Sequence, residues 1–168
     1  NRHGALTSET APTDHDHPVN QVLVQAEEMM GSIRSDRIKV CVLRLGGIYG
    51  PGRDIPSMLL SAAGGFVQRN GLNVPCWIHR DDIVRGVCFA FEQGLNDTYN
   101  LVNDTQLSGQ ELTDRLCERA GLPLATWLTT NTSDRVLNAC VSNEKLKQIG
   151  FTFATRAWWV NICAPPSE

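Results

Sequence analysis

The residues with the most chemical potential lie in RLGGIYGPGRD, Arg44 to Asp54, which holds four glycines, a tyrosine and a terminal Arg-Asp pair. Gly46 and Gly47 follow an apolar run directly. A backbone without Cβ atoms lets a planar ligand come close, although a tight turn needing positive φ would select glycine equally well. Arg53 follows the glycine turn, where a guanidinium can grip phosphate or carboxylate; a plain surface arginine is the alternative. A second group is His79-Arg80-Asp81-Asp82. His79 can face a substrate or serve as a half-buried structural histidine, and Arg80 reads as solvated. A third is Asp14-His15-Asp16-His17, whose alternating ligands attract metals but lack a distant partner to fix geometry. That segment reads as a solvated loop, and no metal is expected.

The phosphate-binding patterns GxxxxGK[ST] and GxGxxG are both absent from the sequence. His79-Arg80-Asp81 has the lettering of a kinase catalytic loop. Gly86 stands where that loop needs Asn, however, and no Asp-Phe-Gly follows, which excludes it.

These residues must be held by elements that the spacing predicts. Residues 1–18 are polar, contain proline and read as loop. From Val19 to Ile33 the period is helical, with Val22, Ala26, Met29 and Ile33 on one face. Ile38 to Leu45 is apolar on both faces, as in a parallel strand covered on both sides. Asp54 and Pro56 start a short helix over 55–63. A strand over 74–78 leads into a helix that Asp81 or Asp82 caps, with Ile83, Val87 and Phe91 (or Ala90) inward and Gly94 as the stop. A strand over 98–102 follows. Ser108-Gly-Gln-Glu111 is a capping box for a helix burying Leu112, Leu116 and Ala120, which ends at Gly121 and Pro123. Residues 135–141 read as extended. Ser142 opens a last helix with Leu146 and Ile149 inward. Alternating helices and strands make the class α/β.

The 168 residues suffice for one domain with a full core, at 42% hydrophobic and 20% charged. A net charge of −3 gives no electrostatic case for nucleic acid or an anionic membrane. No apolar run approaches the ~18–20 residues of a membrane span, and the opening residues lack a signal-peptide pattern. Six scattered cysteines form no CxxC pair and read as reduced, buried thiols of a cytoplasmic protein. The chain opens Asn-Arg-His-Gly without methionine and reads as part of a longer protein.

Five segments, in order, resemble one family. RLGGIYGPGRD resembles the Arg-Pro-x-x-x-Tyr-Gly-Pro-Gly-Arg segment of the extended short-chain dehydrogenases/reductases, the NAD-dependent epimerase/dehydratase family. WIHRDDIVRGVCFAFE is similar to that family's Ile-His-Val-Asp-Asp-Ile-Ala segment. YNLVND resembles its Tyr-Asn-Val-x-Asp strand, and VSNEKLKQIGF its Ser-Asn-x-Lys-Leu-x-x-Leu-Gly-Phe segment. TSETAPTDHDHP with AEEMM is similar to its Glu-x-x-Pro loop and following helix.

The resemblance implies the C-terminal half of a Rossmann-like NAD(P)-binding fold with the small substrate-binding subdomain, spanning residues 1–168. The dinucleotide-binding half would precede it. NAD or NADP is the implied cofactor, with Gly46, Gly47 and Ile48 beside it, and Gly47, Arg53 and His79 toward a small-molecule substrate. Cys76 and Trp77 stand where related sequences often carry Asn-Arg. Trp158-Trp159 reads as C-terminal helix packing or as a contact in a homodimer.

The family's chemistry uses Tyr-x-x-x-Lys: the tyrosine moves a proton at the substrate oxygen and the lysine lowers its pKa. Counting back from AEEMM puts Val19 and Leu23 at those positions, and a one-residue shift brings Pro18 or Asn20. None can carry a proton in this way. The resemblance therefore implies an atypical NAD(P)-dependent epimerase, dehydratase or reductase, or a non-catalytic Rossmann-like protein that binds cofactor or partner.

Overall fold

The computed structural model describes residues 6–13, 18–69, 71–104, 107–128 and 140–154. In chain order the elements are β1 (Leu6–Thr7), α1 (Pro18–Ser32), β2 (Val42–Leu45), β3 (Gly47–Tyr49), α2 (Ile55–Leu60) and β4 (Phe66–Val67). They continue with β5 (Trp77–His79), α3 (Arg80–Glu92), β6 (Thr98–Leu101), α4 (Gly109–Ala120), β7 (Thr126–Trp127), β8 (Cys140–Val141) and α5 (Glu144–Gln148). The strands form four parallel pairs: β1 with β8, β2 with β6, β3 with β5, and β4 with β7. Helices connect the longer parallel pairs, as α/β geometry requires.

The main core gathers Ile78, Tyr99, Leu101, Leu146 and Phe151. A second cluster, Tyr49, Ile55 and Leu112, is joined by Leu59, Trp77 and Leu107 and ties α2 to α4. Local sequence rules hold at several helix ends. Asp54 caps α2, its Oδ1 accepting from the Ser57 amide at 3.2 Å, with Pro56 in the first turn. Ser108 and Glu111 form both bonds of the capping box on α4. Gly121 ends that helix in the left-handed region, at φ 65°.

Other expectations are corrected. Within residues 1–18, Leu6–Thr7 is a strand, because its backbone pairs with Cys140–Val141. The strand expected over 38–45 begins at Val42; earlier, the Val40 amide is taken by the Asn96 side chain. The strand expected over 74–78 is Trp77–His79. α3 is capped by His79, not by Asp81 or Asp82: its Nδ1 accepts from the Asp81 amide at 3.1 Å. On α3 Ala90 is buried, whereas Val87 is exposed and Phe91 is 89% exposed. Thr113 and Cys117 join Leu112 and Leu116 inside α4, while Ala120 is exposed. α5 starts at Glu144 rather than Ser142; it buries Leu146 but leaves Ile149 exposed.

α1 forms as its periodicity predicts but ends at Ser32, before Ile33; none of its residues is buried and Ile33 is exposed too, so the stripe Val22, Ala26, Met29 and Ile33 is not a core face. Of the cysteines within the described residues, Cys117 is buried, Cys88 is exposed, and all are free thiols. Residues 135–139, Asp14–His17, Trp158-Trp159 and Cys163 lie outside the described residues. Among the described residues no helix is long and apolar enough to cross a membrane, and no group of His, Cys, Asp or Glu is placed to hold a metal.

Candidate functional site

The run from Val42 to Tyr49 changes partners at Gly46. Up to Leu45 it pairs with β6; from Gly47 it pairs with β5. The Gly46 amide still donates to Leu101 O at 3.4 Å, and the Gly47 amide donates to Cys76 O at 2.7 Å. The carboxyl ends of β2 and β6 pair at Leu45 and Leu101, and those of β3 and β5 pair at Tyr49 and His79; such ends are where open parallel sheets bind ligands.

The glycines are needed for this crossing. A Cβ on Gly46 would lie 2.8 Å from Cys76 O, and one on Gly47 would lie 2.8 Å from Cε3 and Cζ3 of Trp77. Neither residue has positive φ, so the turn explanation does not apply to them. It applies to Gly50 and Gly52, at φ 141° and 86°. Protein atoms thus fill the Cβ side of Gly46 and Gly47. Next to them Ile48 is 39% exposed and offers an apolar surface at the strand end.

Tyr49, His79 and Asn103 converge beyond the glycines. The rings of Tyr49 and His79 meet edge to face with centroids 5.1 Å apart. Burial pushes the Tyr49 phenol up to about 12, against the opposing pull of a hydrogen bond with the Asn103 side chain; the Asp82 charge adds to the rise. The phenol therefore stays protonated at neutral pH. It serves as a fixed dipole, not as a base. His79 Nδ1 accepts from the Asp81 amide, and Nε2 lies on the Gly50 side, 3.2 Å from where a Cβ on Gly50 would stand. Asn103 is itself positioned by its amide, which donates to Trp77 O at 2.7 Å. Asn103 has no signal of its own in the sequence; the pairing of β3 with β5 sets Tyr49 beside His79, and the bond from the Asn103 amide to Trp77 O brings Asn103 to them.

Arg53 is exposed, and its amide closes a turn on Gly50 O at 2.9 Å. Val19 and Leu23, at the positions where the resemblance calls for tyrosine and lysine, are both exposed on α1. Leu23 lines an open groove of about 650 Å³ between α1 and β2, with Val24, Met30, Val42 and Leu45. α1 is held across this groove by Arg44, whose Nη2 donates to Glu27 Oε2 at 2.6 Å and whose Nη1 donates to Glu9 O at 3.2 Å.

No family model and no curated protein matches the sequence. Solved structures do match the fold. A conserved protein of unknown function from Silicibacter pomeroyi superposes with a TM-score of 0.76 at 24% identity, over 94% of this chain and 58% of that one. MoeE5 in complex with UDP-glucuronic acid and NAD gives 0.71 at 22%, over 92% and 57%. The human epimerase family protein SDR39U1 with NADPH gives 0.68 at 18%, over 89% and 55%. The chain spans a little over half the length of these proteins. At such identities the likeness concerns architecture: this chain has the α/β fold, with parallel strands, of about half of a Rossmann-like NAD(P)-binding protein.

Proposed function

We propose that this chain is the substrate-side half of an NAD(P)-dependent epimerase, dehydratase or reductase acting on a sugar-nucleotide-like or other hydroxyl/carbonyl compound. The observation that carries the reading is the strand transfer at Gly46, and the reading puts the ligand beside residues 46–49, 79 and 103. It is supported by a neighbour of the same architecture that holds NAD and UDP-glucuronic acid. The residues present fit one end of NAD or NADP. Ile48 offers an apolar surface for the nicotinamide, and the backbone of Gly46 and Gly47 runs beside it. When bound, the cofactor would supply hydride transfer. His79 and Arg53 face the substrate in this reading, with the His79 ring and the phenol of Tyr49 near its oxygens. The pyrophosphate has no holder here, because the glycine-rich turn and helix N-terminus that bind it have no counterpart in the sequence.

A second reading, a Rossmann-like binding protein without turnover, is favoured by Val19 and Leu23, which cannot move a proton. Two measurements separate the readings. Calorimetric titration of the 168-residue chain with NADH should show no micromolar binding, and such binding would refute the division of labour proposed here. A protein joining this chain to a glycine-rich strand–turn–helix unit should then be given NAD and UDP-glucuronic acid. Nicotinamide reduction or an altered sugar supports the enzyme; tight binding with neither supports the second reading.

A further inference from the structure

Cys76 and Cys140 are far apart in sequence and come together beside the strand transfer. Cys76 precedes β5, and its carbonyl holds the Gly47 amide at 2.7 Å. Cys140 opens β8. Two bonds bring these segments to the carboxyl end of β6: the Asn103 amide donates to Trp77 O at 2.7 Å, and Asn143 Nδ2 donates to Val102 O at 2.8 Å. Along β8 the Ser142 amide turns to Thr7 O, so the Val141 amide turns the other way. There it donates to the Cys76 thiol.

The Val141 nitrogen is two bonds from Cys140 Cα, so this contact sets Cys76 Sγ within about 6 Å of that carbon. A disulfide spans Cα atoms about 4.4–6.8 Å apart, and side-chain rotation with a small backbone shift reaches that range from here. Both cysteines are partly buried thiols. The charges acting on Cys41 are those of Asp97, Arg34 and Lys145, and on Cys117 that of Asp114; on Cys76 it is that of Cys140.

We propose that Cys76 and Cys140 form a reversible disulfide, a redox-modification site that ties the strand transfer to β8. The oxidant is a small disulfide of the glutathione type. The Cys140 thiolate attacks one of its sulfurs and expels one glutathione thiolate, leaving a mixed disulfide. The Cys76 thiolate then attacks the Cys140 sulfur and expels the second. Two protein thiols lose their protons and are oxidised, and the glutathione disulfide is reduced to two thiols. Cys76 reacts second because burial pushes its thiol up, although the bond from the Val141 amide opposes the rise. The bridge involves this chain's own thiols alone, so it does not rest on the NAD(P) reading.

Trypsin separates the pair: peptides 70–80 and 136–145 each carry one cysteine. The 168-residue chain is treated with oxidised glutathione, alkylated in urea, digested and analysed by mass spectrometry. It should yield these peptides joined, lighter than their sum by the two thiol hydrogens, with Cys41 and Cys117 alkylated. Dithiothreitol should separate them. Cys76→Ser should stop at glutathione on Cys140, and Cys88→Ser should bridge as wild type does. The bridged chain should melt at least about 5 °C above the reduced one, because the bond closes a long loop in its native geometry. Treated wild type in which Cys76 and Cys140 are both alkylated overturns the proposal. So does Cys76 joined instead to Cys41 or Cys163, or a bridged chain that melts below the reduced one.

Discussion

The indole of Trp77 occupies the direction a side chain on Gly47 would take, with Cε3 and Cζ3 2.8 Å from that point. The two residues face each other across the β3–β5 pair, in register. The strand transfer therefore depends on one residue having no side chain where its partner has the largest.

Gly47→Val should consequently unfold more readily than wild type, by about 1–3 kcal/mol, since an overpacked contact must displace the indole. Gly47→Ala should cost less, and combining it with Trp77→Leu should recover most of the loss. Thermal melts of the four proteins check this. If Gly47→Val melts like wild type, Trp77 does not constrain the crossing.

The capping box on α4 gives a cleaner stability test. Ser108 Oγ accepts from the Glu111 amide at 3.1 Å, and the Ser108 amide donates to Glu111 Oε2 at 2.8 Å. Ser108→Ala should lower unfolding stability by about 1 kcal/mol. Urea denaturation should show a reduced midpoint with an unchanged slope.

α1 has no buried residue, so its hold on β2 rests heavily on Arg44. Arg44→Met removes charge-assisted bonds worth about 1.5–3 kcal/mol. Amide exchange over residues 18–32 should accelerate by about tenfold or more, while exchange in α4 stays as in wild type. Equal acceleration in both helices would mean that Arg44 supports the whole fold.

Acid should weaken the contact between α5 and β6. Lys145 Nζ donates to Asp97 Oδ2 at 2.7 Å, and this bond, with that from the Thr98 amide, holds the Asp97 carboxyl below its usual value. A depressed folded pKa contributes stability above the unfolded value of about 3.9, and that stability is lost as pH falls through the folded value. Asp97→Asn should be less stable than wild type at pH about 7, with the gap closing as pH falls below the unfolded value of about 3.9. Melting temperatures across that range would contradict the assignment if the gap stayed constant.

Read alone, the sequence determined what short-range chemistry decides. Asp54 and Ser108 cap their helices because each side chain reaches an amide three residues away. Gly94 and Gly121 follow helix ends with φ of 57° and 65°, a conformation glycine adopts without strain. The alternation of helix and strand marked the α/β class for the same reason: periodicity is a local property. The tertiary structure decided which apolar faces are buried and which residues meet. Val87 and Phe91 have the right spacing for a core face, but it is Ala90 that packs inside α3, beside Gly86, where a Cβ would meet Leu101 Cδ2 at 2.7 Å. His79 reads as a substrate-facing or a structural residue by its type alone; the end of β5 adds a role that its type does not show, the cap of α3 through Nδ1. Gly46 and Gly47 were legible as a place of close approach, yet not what approaches. That depends on β5, about 30 residues further along the chain, and no local pattern encodes a contact between segments whose register is set only when the strands pair.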